Sequence, residues 1–341
     1  MAVKNSRPTM REVAALSGTS LKTVSRVFNE VSTVDPELVV RVKKAAAKLH
    51  YTPNMTAGSL RRIDGRTRTI GLLLEDISNP FSSVLHRVFE NYARELGFIV
   101  FVASLDEEAD REKELVSLFI SRRVDGLIIA PSTSDHSYLK PEVKAGIKVG
   151  FIDRPPINFA ADSVLSTNKE GSKDAVDHLL SFGHKRIAYI GDQPDIYTAQ
   201  QRYSGYKSAL QSAKIPLNKS MVIQGPRSHE DLIDQIKKLV TSSNAPTAIF
   251  ASQNLVTLAA IRALRDAHLE KKVALIGFDE IPAGDLLDPA ITLVTQDIRA
   301  MGEKSAELLF SRINGYDGKV RQEIIPTTLT ARGSGEIRPK F

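Results

Sequence analysis

The chain has 341 residues, of which 42% are hydrophobic and 25% are charged, and it contains no cysteine. The lack of cysteine excludes disulfide bonds, thiolate nucleophiles and zinc–thiolate sites. The length predicts two or three domains, on a prior of about 150 residues per domain. The N-terminal residues lack the apolar segment of a secretory signal. No run approaches the roughly 18 apolar residues of a membrane helix, so we expect a cytoplasmic protein without membrane contact.

Positive charge is concentrated at the N-terminal end. Residues 1–68 hold 13 Lys and Arg against 5 Asp and Glu, a net charge of +8, whereas the whole chain carries +6. The remaining residues therefore carry a net charge of −2. A basic end on a weakly acidic body is typical of a protein whose end contacts phosphate groups. Judged by charge alone, a basic surface that only contacts solvent is an equally good interpretation.

The first fifty residues predict three short helices. Thr9 and Glu12 match a capping box, and Gly18 suits the end of the helix that follows. Ser20 can cap a second helix, and Asp35-Pro36 supplies a cap and a first-turn proline for a third. Two short helices around a glycine turn, braced by a third, form a helix-turn-helix. Its expected apolar core contains Val13, Ala14, Leu16, Val24, Val27, Phe28, Leu38, Val42, Ala45 and Leu49.

The second helix carries polar residues on the side away from this core. Leu21, Lys22, Thr23 and Arg26 fall in its first two turns, where a recognition helix meets base edges. Lys22 or Arg26 suits guanine acceptors, Thr23 suits a phosphate, and Leu21 suits a thymine methyl group. Each residue alone also fits an ordinary surface position. The combination of caps, spacing and charge favours DNA binding.

An ordered set of residues in this segment matches a known pattern. The set comprises Glu12-Val13-Ala14, Gly18, Thr23-Val24-Ser25-Arg26-Val27, Asn29 and Tyr51-x-Pro53-Asn54. It resembles the DNA-binding head of the lactose repressor (LacI/GalR) family. The resemblance implies a helix-turn-helix domain over residues 1–53, in which Leu21 and Lys22 set most of the operator sequence. The DNA contacts that it implies are Ser20, Leu21, Lys22, Thr23, Ser25, Arg26, Asn29, Tyr51 and Asn54.

Residues 54–68 form a linker that is rich in arginine and shows little apolar periodicity. A segment this short does not hold a helix in isolation. The resemblance implies a hinge helix that forms on DNA, with Leu60 as the apolar wedge that kinks the minor groove. A contact that docks the domains is the alternative role for Leu60. Gly58 stands where the family usually has a helix former, and glycine costs up to about 1 kcal/mol in a helix, so we expect a less stable hinge.

From Thr69 onward, apolar strand-like runs alternate with amphipathic helical stretches. Continuous apolar strands separated by helices predict an α/β fold with parallel sheets that are covered on both faces. In such sheets the ligand binds beyond the carboxyl ends of the strands. The predicted strands are Ile70–Leu74, Phe98–Ala103, Gly126–Ala130, Val149–Ile152, Arg186–Ile190, Ala248–Ala251 and Val273–Gly277.

Polar side chains follow these strands, together with one aromatic ring. The ring can pack on the apolar C–H face of a sugar, while arginine, aspartate and amide groups pair with its hydroxyls. The pattern therefore predicts a cleft for a polyhydroxylated ligand. Asn79 and Asp153 also suit ordinary turn caps. The candidate ligand contacts are Asn79, Phe81, Asp153, Arg154, Arg202, Gln253, Asp279 and Gln296.

Asn79-Pro80-Phe81, Asp153-Arg154, Arg202 and the Gly-Phe-Asp that ends at Asp279 resemble the two-lobed sugar-binding core that this family shares with periplasmic binding proteins. The resemblance makes residues 69–341 an effector-binding and dimerisation core of two Rossmann-like lobes. It implies crossovers between the lobes near residues 164, 293 and 320. Lobe 1 is then expected at about 69–163 and 294–320, and lobe 2 at about 164–293 and 321–341.

Two departures from the family pattern concern the same cleft. Gln253-Asn254 replaces the common Asn-Asp, and Thr167 replaces the common Asp before Asn168. Because glutamine reaches further than asparagine, we expect a smaller pocket or a displaced polar contact. No particular sugar is therefore transferred from the family to this chain.

The sequence lacks the dinucleotide-binding, phosphate-loop, nucleophile-elbow and zinc-protease motifs. Its histidines are scattered along the chain, and we interpret His184 as a structural residue. The predicted function is that of a transcription regulator, a repressor by resemblance, that is not an enzyme and needs no cofactor or metal. Its predicted partners are operator DNA, a second copy of the chain as a homodimer, and a sugar, sugar alcohol, sugar phosphate or nucleoside as effector. A phosphocarrier protein is a further candidate partner.

Two rival functions explain only part of the chain. A stand-alone carbohydrate-binding protein accounts for the body but not for the basic head. A sugar-modifying enzyme accounts for the cleft but not for the missing nucleophile and base.

Overall fold

The computed structural model describes residues 8–28, 33–52, 66–225 and 228–340. Within the chain, Met1–Arg68 and Thr69–Phe341 form two separate compact units. The predicted DNA contacts Asn29, Asn54 and Leu60 lie outside the described residues. Among the residues that are described, no helix is long and apolar enough to cross a membrane.

The first unit contains the three predicted helices, α1 (Met10–Ser17), α2 (Leu21–Phe28) and α3 (Pro36–Lys48). The capping box of α1 is present: Thr9 N–H donates to Glu12 Oε2 over 2.5 Å, and Glu12 N–H donates to Thr9 Oγ1 over 3.4 Å. Ser20 caps α2, because Thr23 N–H donates to its Oγ over 3.0 Å. These bonds satisfy backbone donors that a helix cannot satisfy internally.

The three helices enclose a small apolar core of Val13, Ala14, Val24, Val27, Val42, Ala45 and Ala46. Two details of the predicted core are wrong. Leu16 is 45% exposed, because the buried face of α1 runs through Val13, Ala14 and Ser17. Val39, rather than Leu38, packs against the cluster from α3.

The turn between α1 and α2 requires glycine. Gly18 has φ 63°, a left-handed conformation that disfavours side chains. A Cβ atom at this position would also lie 2.9 Å from Arg41 Nη2. That nitrogen donates to the Ser17 carbonyl over 2.7 Å, so α3 fixes the end of α1.

Two six-stranded sheets form the second unit. The first sheet has the order β11-β5-β4-β3-β1-β2 and is parallel throughout. Its strands are β1 (Thr69–Leu74), β2 (Ile99–Ser104), β3 (Gly126–Ile129), β4 (Lys148–Ile152), β5 (Asp162–Ser166) and β11 (Gln322–Ile325). The second sheet has the order β12-β10-β9-β8-β6-β7, in which only β12 is antiparallel to its neighbour among the described strands. Its strands are β6 (Ile187–Ile190), β7 (Val222–Ile223), β8 (Ala248–Ala251), β9 (Ala274–Phe278), β10 (Thr292–Gln296) and β12 (Thr327–Thr330).

Helices accompany both sheets. Those between or after strands of the first sheet are α4 (Pro80–Glu95), α5 (Ala109–Ser121), α6 (Lys140–Lys144) and α11 (Ile298–Ile313). Those of the second sheet are α7 (Asn168–Ser181), α8 (Tyr197–Ser212), α9 (His229–Val240) and α10 (Asn254–Asp266). Buried apolar clusters involve each sheet and its helices, as expected for parallel sheets buried on both faces.

The chain passes between the sheets after Ser166, Gln296 and Ile325, a few residues later than predicted at each crossover. Lobe 1 therefore comprises residues 69–166 and 298–325, and lobe 2 comprises residues 168–296 and 327–340. The largest correction concerns β11, which the sequence placed in lobe 2. It belongs to lobe 1, because it pairs in parallel with β5.

All seven predicted strands are confirmed, with ends that differ by at most one residue. The sequence did not identify β5, β7, β10, β11 or β12 as strands. β5 begins with Asp162, a charged residue that looks unsuited to a buried strand. Two ion pairs make its burial possible: Asp162 contacts Arg312 Nη2 at 2.7 Å and Arg321 Nη2 at 2.6 Å.

Candidate functional site

All eight ligand contacts predicted from the sequence line one cleft between the lobes of the second unit. Asn79 and Phe81 lie at the start of α4, and Asp153 and Arg154 follow β4. Arg202 lies on α8, and the other predicted contacts lie at or beyond the ends of β8, β9 and β10. The cleft is also lined by Glu75, Asp192, Thr198, Ala199 and Ser252. The cleft thus lies beyond the carboxyl ends of the strands, as expected for parallel sheets.

A closed ring of hydrogen bonds surrounds Arg202. Its Nε donates to Asn168 Oδ1 over 2.7 Å, and its Nη1 contacts Asp279 Oδ2 at 3.3 Å. Gln296 Nε2 donates to Asp279 Oδ1 over 2.7 Å. Ser166 Oγ donates to Gln296 Oε1 and accepts from Asn168 Nδ2 over 3.0 Å, which closes the ring. Since Ser166 and Gln296 stand directly before two crossovers, the ring links the cleft to the connections between the lobes.

Arg202 is buried, and the remaining contacts of its guanidinium explain how the charge is accommodated. Nη1 also donates to the Ser252 carbonyl over 2.8 Å, and the Phe278 ring lies 3.9 Å from the guanidinium carbon. Paired acceptors and an aromatic face together offset the loss of hydration. Asp279 reaches the ring from a left-handed backbone conformation, φ 67°, which is secured by its N–H bond to the Val294 carbonyl.

Arg154 is held within lobe 1 by a bidentate ion pair. Its Nη1 and Nη2 donate to the two carboxylate oxygens of Glu107 over 2.6 Å and 2.5 Å, and Nη1 also donates to the Pro131 carbonyl. Burial lowers the pKa of Arg154, but the Glu107 contacts outweigh it, so the net pKa shift is upward. Arg154 therefore remains charged, and its charge is already matched by an internal carboxylate.

One pair of amides joins the lobes directly across the cleft. Asn254 Nδ2 donates to Asn79 Oδ1 over 2.7 Å, and Asn79 Nδ2 lies 3.4 Å from Asn254 Oδ1. Asn79 also caps α4, as the alternative interpretation of this residue proposed, by accepting from Phe81 N–H over 3.0 Å. A single side chain thus serves both the helix end and the contact between the lobes.

The two departures from the family pattern acquire local roles. Gln253 caps α10, because its Oε1 accepts from Leu255 N–H over 2.8 Å and from Val256 N–H over 3.1 Å. Its additional length is therefore used for the helix end. Thr167 Oγ1 accepts from Thr327 N–H over 2.8 Å, which ties the first crossover to the third.

The cleft is closed. Its free space is about 30 Å³, close to the volume of a single water molecule. Small-molecule sites that hold a ligand usually enclose roughly 300–1,000 Å³. A sugar-sized ligand therefore requires the lobes to move apart.

Two acidic residues of the cleft, Glu75 and Asp192, were not assigned as ligand contacts from the sequence. Their positions could have identified them, because both follow the carboxyl end of a strand, where ligands of parallel sheets bind. Burial, together with the neighbouring carboxylates Glu107, Asp192 and Asp153 and against the opposing effect of Arg154, raises the pKa of Glu75 from 4.5 to about 8. Burial likewise raises the pKa of Asp192.

The recognition helix of the first unit exposes the residues that the sequence assigned to DNA. Ser20, Leu21, Lys22 and Arg26 are exposed, whereas Thr23 and Ser25 are half-buried. Leu21 is 44% exposed, so its side chain is accessible to a partner.

Two of the head residues also have contacts within the unit. Arg26 Nη2 donates to Thr33 Oγ1 over 2.5 Å. The Tyr51 ring packs on Phe28, with 5.5 Å between ring centroids, so Tyr51 contributes to the small core of the head. The assignment of Tyr51 to DNA stays a prediction.

A helix-turn-helix unit together with a two-lobed α/β unit defines a DNA-binding transcription regulator with an effector-binding domain. Residues 9–54 match the model of bacterial regulatory proteins of the lacI family, and residues 176–335 match the periplasmic binding protein-like domain. The chain belongs to the LacI family of transcription regulators and is not an enzyme.

Two relatives of similar length support this assignment. The chain is 32% identical over 334 residues to the HTH-type transcriptional regulator DegA of Bacillus subtilis (strain 168), covering 96% of this chain and 98% of DegA. It is 30% identical over 339 residues to the HTH-type transcriptional repressor PurR of Aliivibrio fischeri (strain ES114), covering 97% of this chain and 99% of PurR.

Solved structures show the same architecture. The transcriptional regulator CelR in complex with cellobiose is 28% identical, with a TM-score of 0.70, and the match covers 96% of this chain and 100% of CelR. A LacI family regulator from Enterococcus faecium with bound ribose is 28% identical, with a TM-score of 0.68 over 78% of this chain and 98% of that one. The Lac repressor dimer bound to operator and the anti-inducer ONPF has a TM-score of 0.82 at 24% identity, covering 97% of this chain and 99% of that one, and shows the shared fold.

Replacing Arg202 with alanine should destabilise the second unit. The buried Asp279 carboxylate would lose its ion-pair partner, and such losses cost about 3–5 kcal/mol. Urea unfolding should show this loss in the free energy of unfolding. Arg299→Ala is the matched control: the Arg299 side chain is 78% exposed, so we expect a change of about 0.5 kcal/mol or less. Equal effects of the two variants would contradict the ring as a source of stability.

Replacing Glu75 with glutamine should change how stability depends on pH. Because the folded-state pKa of about 8 exceeds the ordinary value of 4.5, the folded state binds more protons between these pH values. Its free energy of unfolding therefore falls as pH rises through this range. Glu75→Gln removes that loss and should raise Tm at pH 8 by about 2–4 °C, with a smaller difference at pH 5.

Thermal unfolding at both pH values measures this difference. Glu114→Gln, at an exposed position on α5, is the control and should follow the parent protein. A pH profile of Glu75→Gln that coincides with the parent profile would show that Glu75 titrates normally.

Proposed function

We propose that this protein is a repressor that binds a pseudo-palindromic operator as a homodimer and is controlled by a small polyhydroxylated effector in the cleft between the lobes. The observation that carries the proposal is the convergence of all eight predicted ligand contacts on one cleft. The buried Arg202 belongs to a ring of hydrogen bonds that includes Ser166 and Gln296, which stand directly before two crossovers. A regulator needs this connection, because an effector must change how the lobes sit for its binding to alter DNA affinity.

The DNA half of the proposal rests on α2. The exposed residues Leu21, Lys22 and Arg26 offer base-edge contacts, and the caps of the helix fix their orientation. Ser20, Thr23 and Ser25 are proposed to contact phosphates and bases beside them, with Tyr51 at the end of the head. Asn29, Asn54 and Leu60 are proposed as DNA contacts on the family resemblance alone.

The effector half rests on the closed cleft. Asn79 and Asn254 join the lobes directly, so a ligand that enters between them must replace this contact with its own. CelR with cellobiose and the Enterococcus faecium regulator with ribose support a sugar-like effector. Coupling between effector and operator is reciprocal: an effector that weakens operator binding is itself bound less tightly by the operator complex.

Exposed apolar side chains support the homodimer. Strand β2 is an edge strand of its sheet, and on its outer face Ile99 is 58% exposed and Phe101 is 44% exposed. Leu118 on α5 is exposed as well. Apolar edges of this kind are usually covered by a partner. Since the target is chromosomal DNA, we place the protein in the cytoplasm, and a phosphocarrier protein stays a predicted additional partner.

Operator binding is tested with duplexes selected from a random library by the protein itself. Lys22→Ala should weaken binding of the selected duplex about tenfold or more, because a lost base-edge contact costs about 1–3 kcal/mol. A mobility-shift titration measures the change. Lys144→Ala removes the same charge from an exposed position on α6 and should leave the affinity within about twofold. Failure to select any duplex would refute the operator proposal.

The dimer is tested by placing a charge on the apolar edge. Phe101→Asp should convert the dimer to a monomer at micromolar concentration, since a buried unpaired carboxylate opposes association. Sedimentation velocity measures the change in mass. Leu217→Asp, at a residue that is 41% exposed in lobe 2, is the control and should leave the dimer intact. A dimer that survives Phe101→Asp would place the interface elsewhere.

A further inference from the structure

The charges that line the cleft do not balance. Four carboxyl groups line it, those of Glu75, Asp153, Asp192 and Asp279, against the two guanidinium groups of Arg154 and Arg202. A fifth carboxylate, Glu107, stands directly behind Arg154. The cleft therefore has an excess of acid.

Both guanidinium groups are already engaged within the protein. Arg202 contacts Asn168, the Ser252 carbonyl and Asp279. Arg154 is matched by both oxygens of Glu107. An anionic ligand would meet guanidinium groups whose charges are already matched by carboxylates. The cleft is therefore poorly suited to a phosphorylated effector.

Two of the acids, Glu75 and Asp192, in contrast lack counter-charges among the described residues. Among the described residues, Glu75 forms no ion pair and its carboxyl group makes no hydrogen bond. Asp192 accepts a hydrogen bond from Gln193 N–H over 2.8 Å but has no cation partner in the described part of the chain. Asp153 is 9% exposed: its Oδ2 lies 3.6 Å from Arg154 Nε, whereas its buried Oδ1 accepts no hydrogen bond from any described group. Glu75 and Asp192 are half-buried and Asp153 Oδ1 is buried, so these carboxyl groups lose hydration without gaining a full set of partners, which is costly.

The unpaired acids come from both lobes. Glu75 follows β1 in lobe 1, whereas Asp192 follows β6 in lobe 2. Closing the cleft therefore brings carboxyl groups towards each other: burial, and repulsion from the ionised forms of Glu107 and Asp192, raise the pKa of Glu75. A positive charge between them would remove this repulsion and hold the lobes together.

From this arrangement we infer that the effector carries a protonated amine as well as hydroxyl groups, as an amino sugar or an amino alditol does. Its ammonium group would lie between Glu75 and Asp192, within reach of Asp153. This inference rests on the proposed effector function and narrows it: neutral sugars would bind more weakly, and sugar phosphates would be excluded. Glu75 and Asp192 then determine specificity.

Binding of such a ligand should depend on pH through Glu75. The groups that act on Glu75 are Glu107, Arg154, Asp192 and Asp153. Without ligand the pKa of Glu75 is about 8, so much of it is protonated at neutral pH. An ammonium group favours the carboxylate, so the affinity for a ligand amine that stays protonated should rise about tenfold between pH 6.5 and 8.

The experiment is a thermal-shift and calorimetric panel on the full chain. Amino alditols and amino sugars are each compared with their deaminated, N-acetylated and phosphorylated counterparts at equal concentration. Probes such as 1-amino-1-deoxy-D-sorbitol retain their charge at pH 8. We expect stabilisation by amines and not by their phosphorylated counterparts, and a loss of affinity of tenfold or more in Glu75→Gln and Asp192→Asn. Glu114→Gln, on an exposed face, should bind as the parent does.

The outcomes separate this inference from the proposed function. Stabilisation by neutral or phosphorylated compounds that is unchanged in Glu75→Gln would overturn the amine and leave an effector-controlled regulator in place. Amine binding that persists equally in both acid variants would also overturn it. If no compound in the panel stabilises the protein while its selected duplex still binds, both the amine inference and the effector half of the proposed function fail. The operator half would remain.

Discussion

The need to satisfy one buried charge organises the cleft and its connections. Arg202 cannot be buried without acceptors, and they come from Asn168, Ser252 and Asp279. Asp279 in turn is held by Gln296, which is bonded to Ser166 at the other crossover. Because a buried charge that loses one partner is expensive, the members of this ring constrain one another's positions. The ring therefore couples the shape of the cleft to the segments that connect the lobes.

The closed cleft carries opposing interactions, and this balance suits a switch. The Asn79–Asn254 hydrogen bonds hold the lobes together. The acids Glu75 and Asp192, contributed by different lobes, oppose closure in the absence of a cation. A ligand shifts an equilibrium between two states only by its differential affinity for them. When the closed cleft is only slightly more stable than the open one, a ligand of modest affinity is therefore enough to shift the equilibrium. In our proposal the effector cation converts the opposing contribution into an attractive one.

Predictions from the sequence succeeded where the deciding interactions are local or follow a general rule of the fold. The capping box of Thr9 and Glu12, the glycine turn at Gly18 and seven of the apolar strands all follow from the sequence. The cleft contacts were found because parallel sheets place their carboxyl ends together. The strand β5 was missed because its first residue, Asp162, is buried only through Arg312 and Arg321, which lie far along the chain.

The sequence by itself determined the helix-turn-helix, the parallel α/β body and the set of polar residues that meet at the cleft, because caps, apolar runs and strand ends depend on neighbouring residues. Only the tertiary structure decided how those residues are paired. Arg202 is separated by 34 residues from Asn168 and by 77 from Asp279. No periodicity of the sequence reveals that the charge of Arg202 is paired with a carboxylate inside the protein. The unmatched acids Glu75 and Asp192 are apparent only once every nearby cation has been assigned a partner. The charge of the preferred ligand is therefore a property of the folded chain.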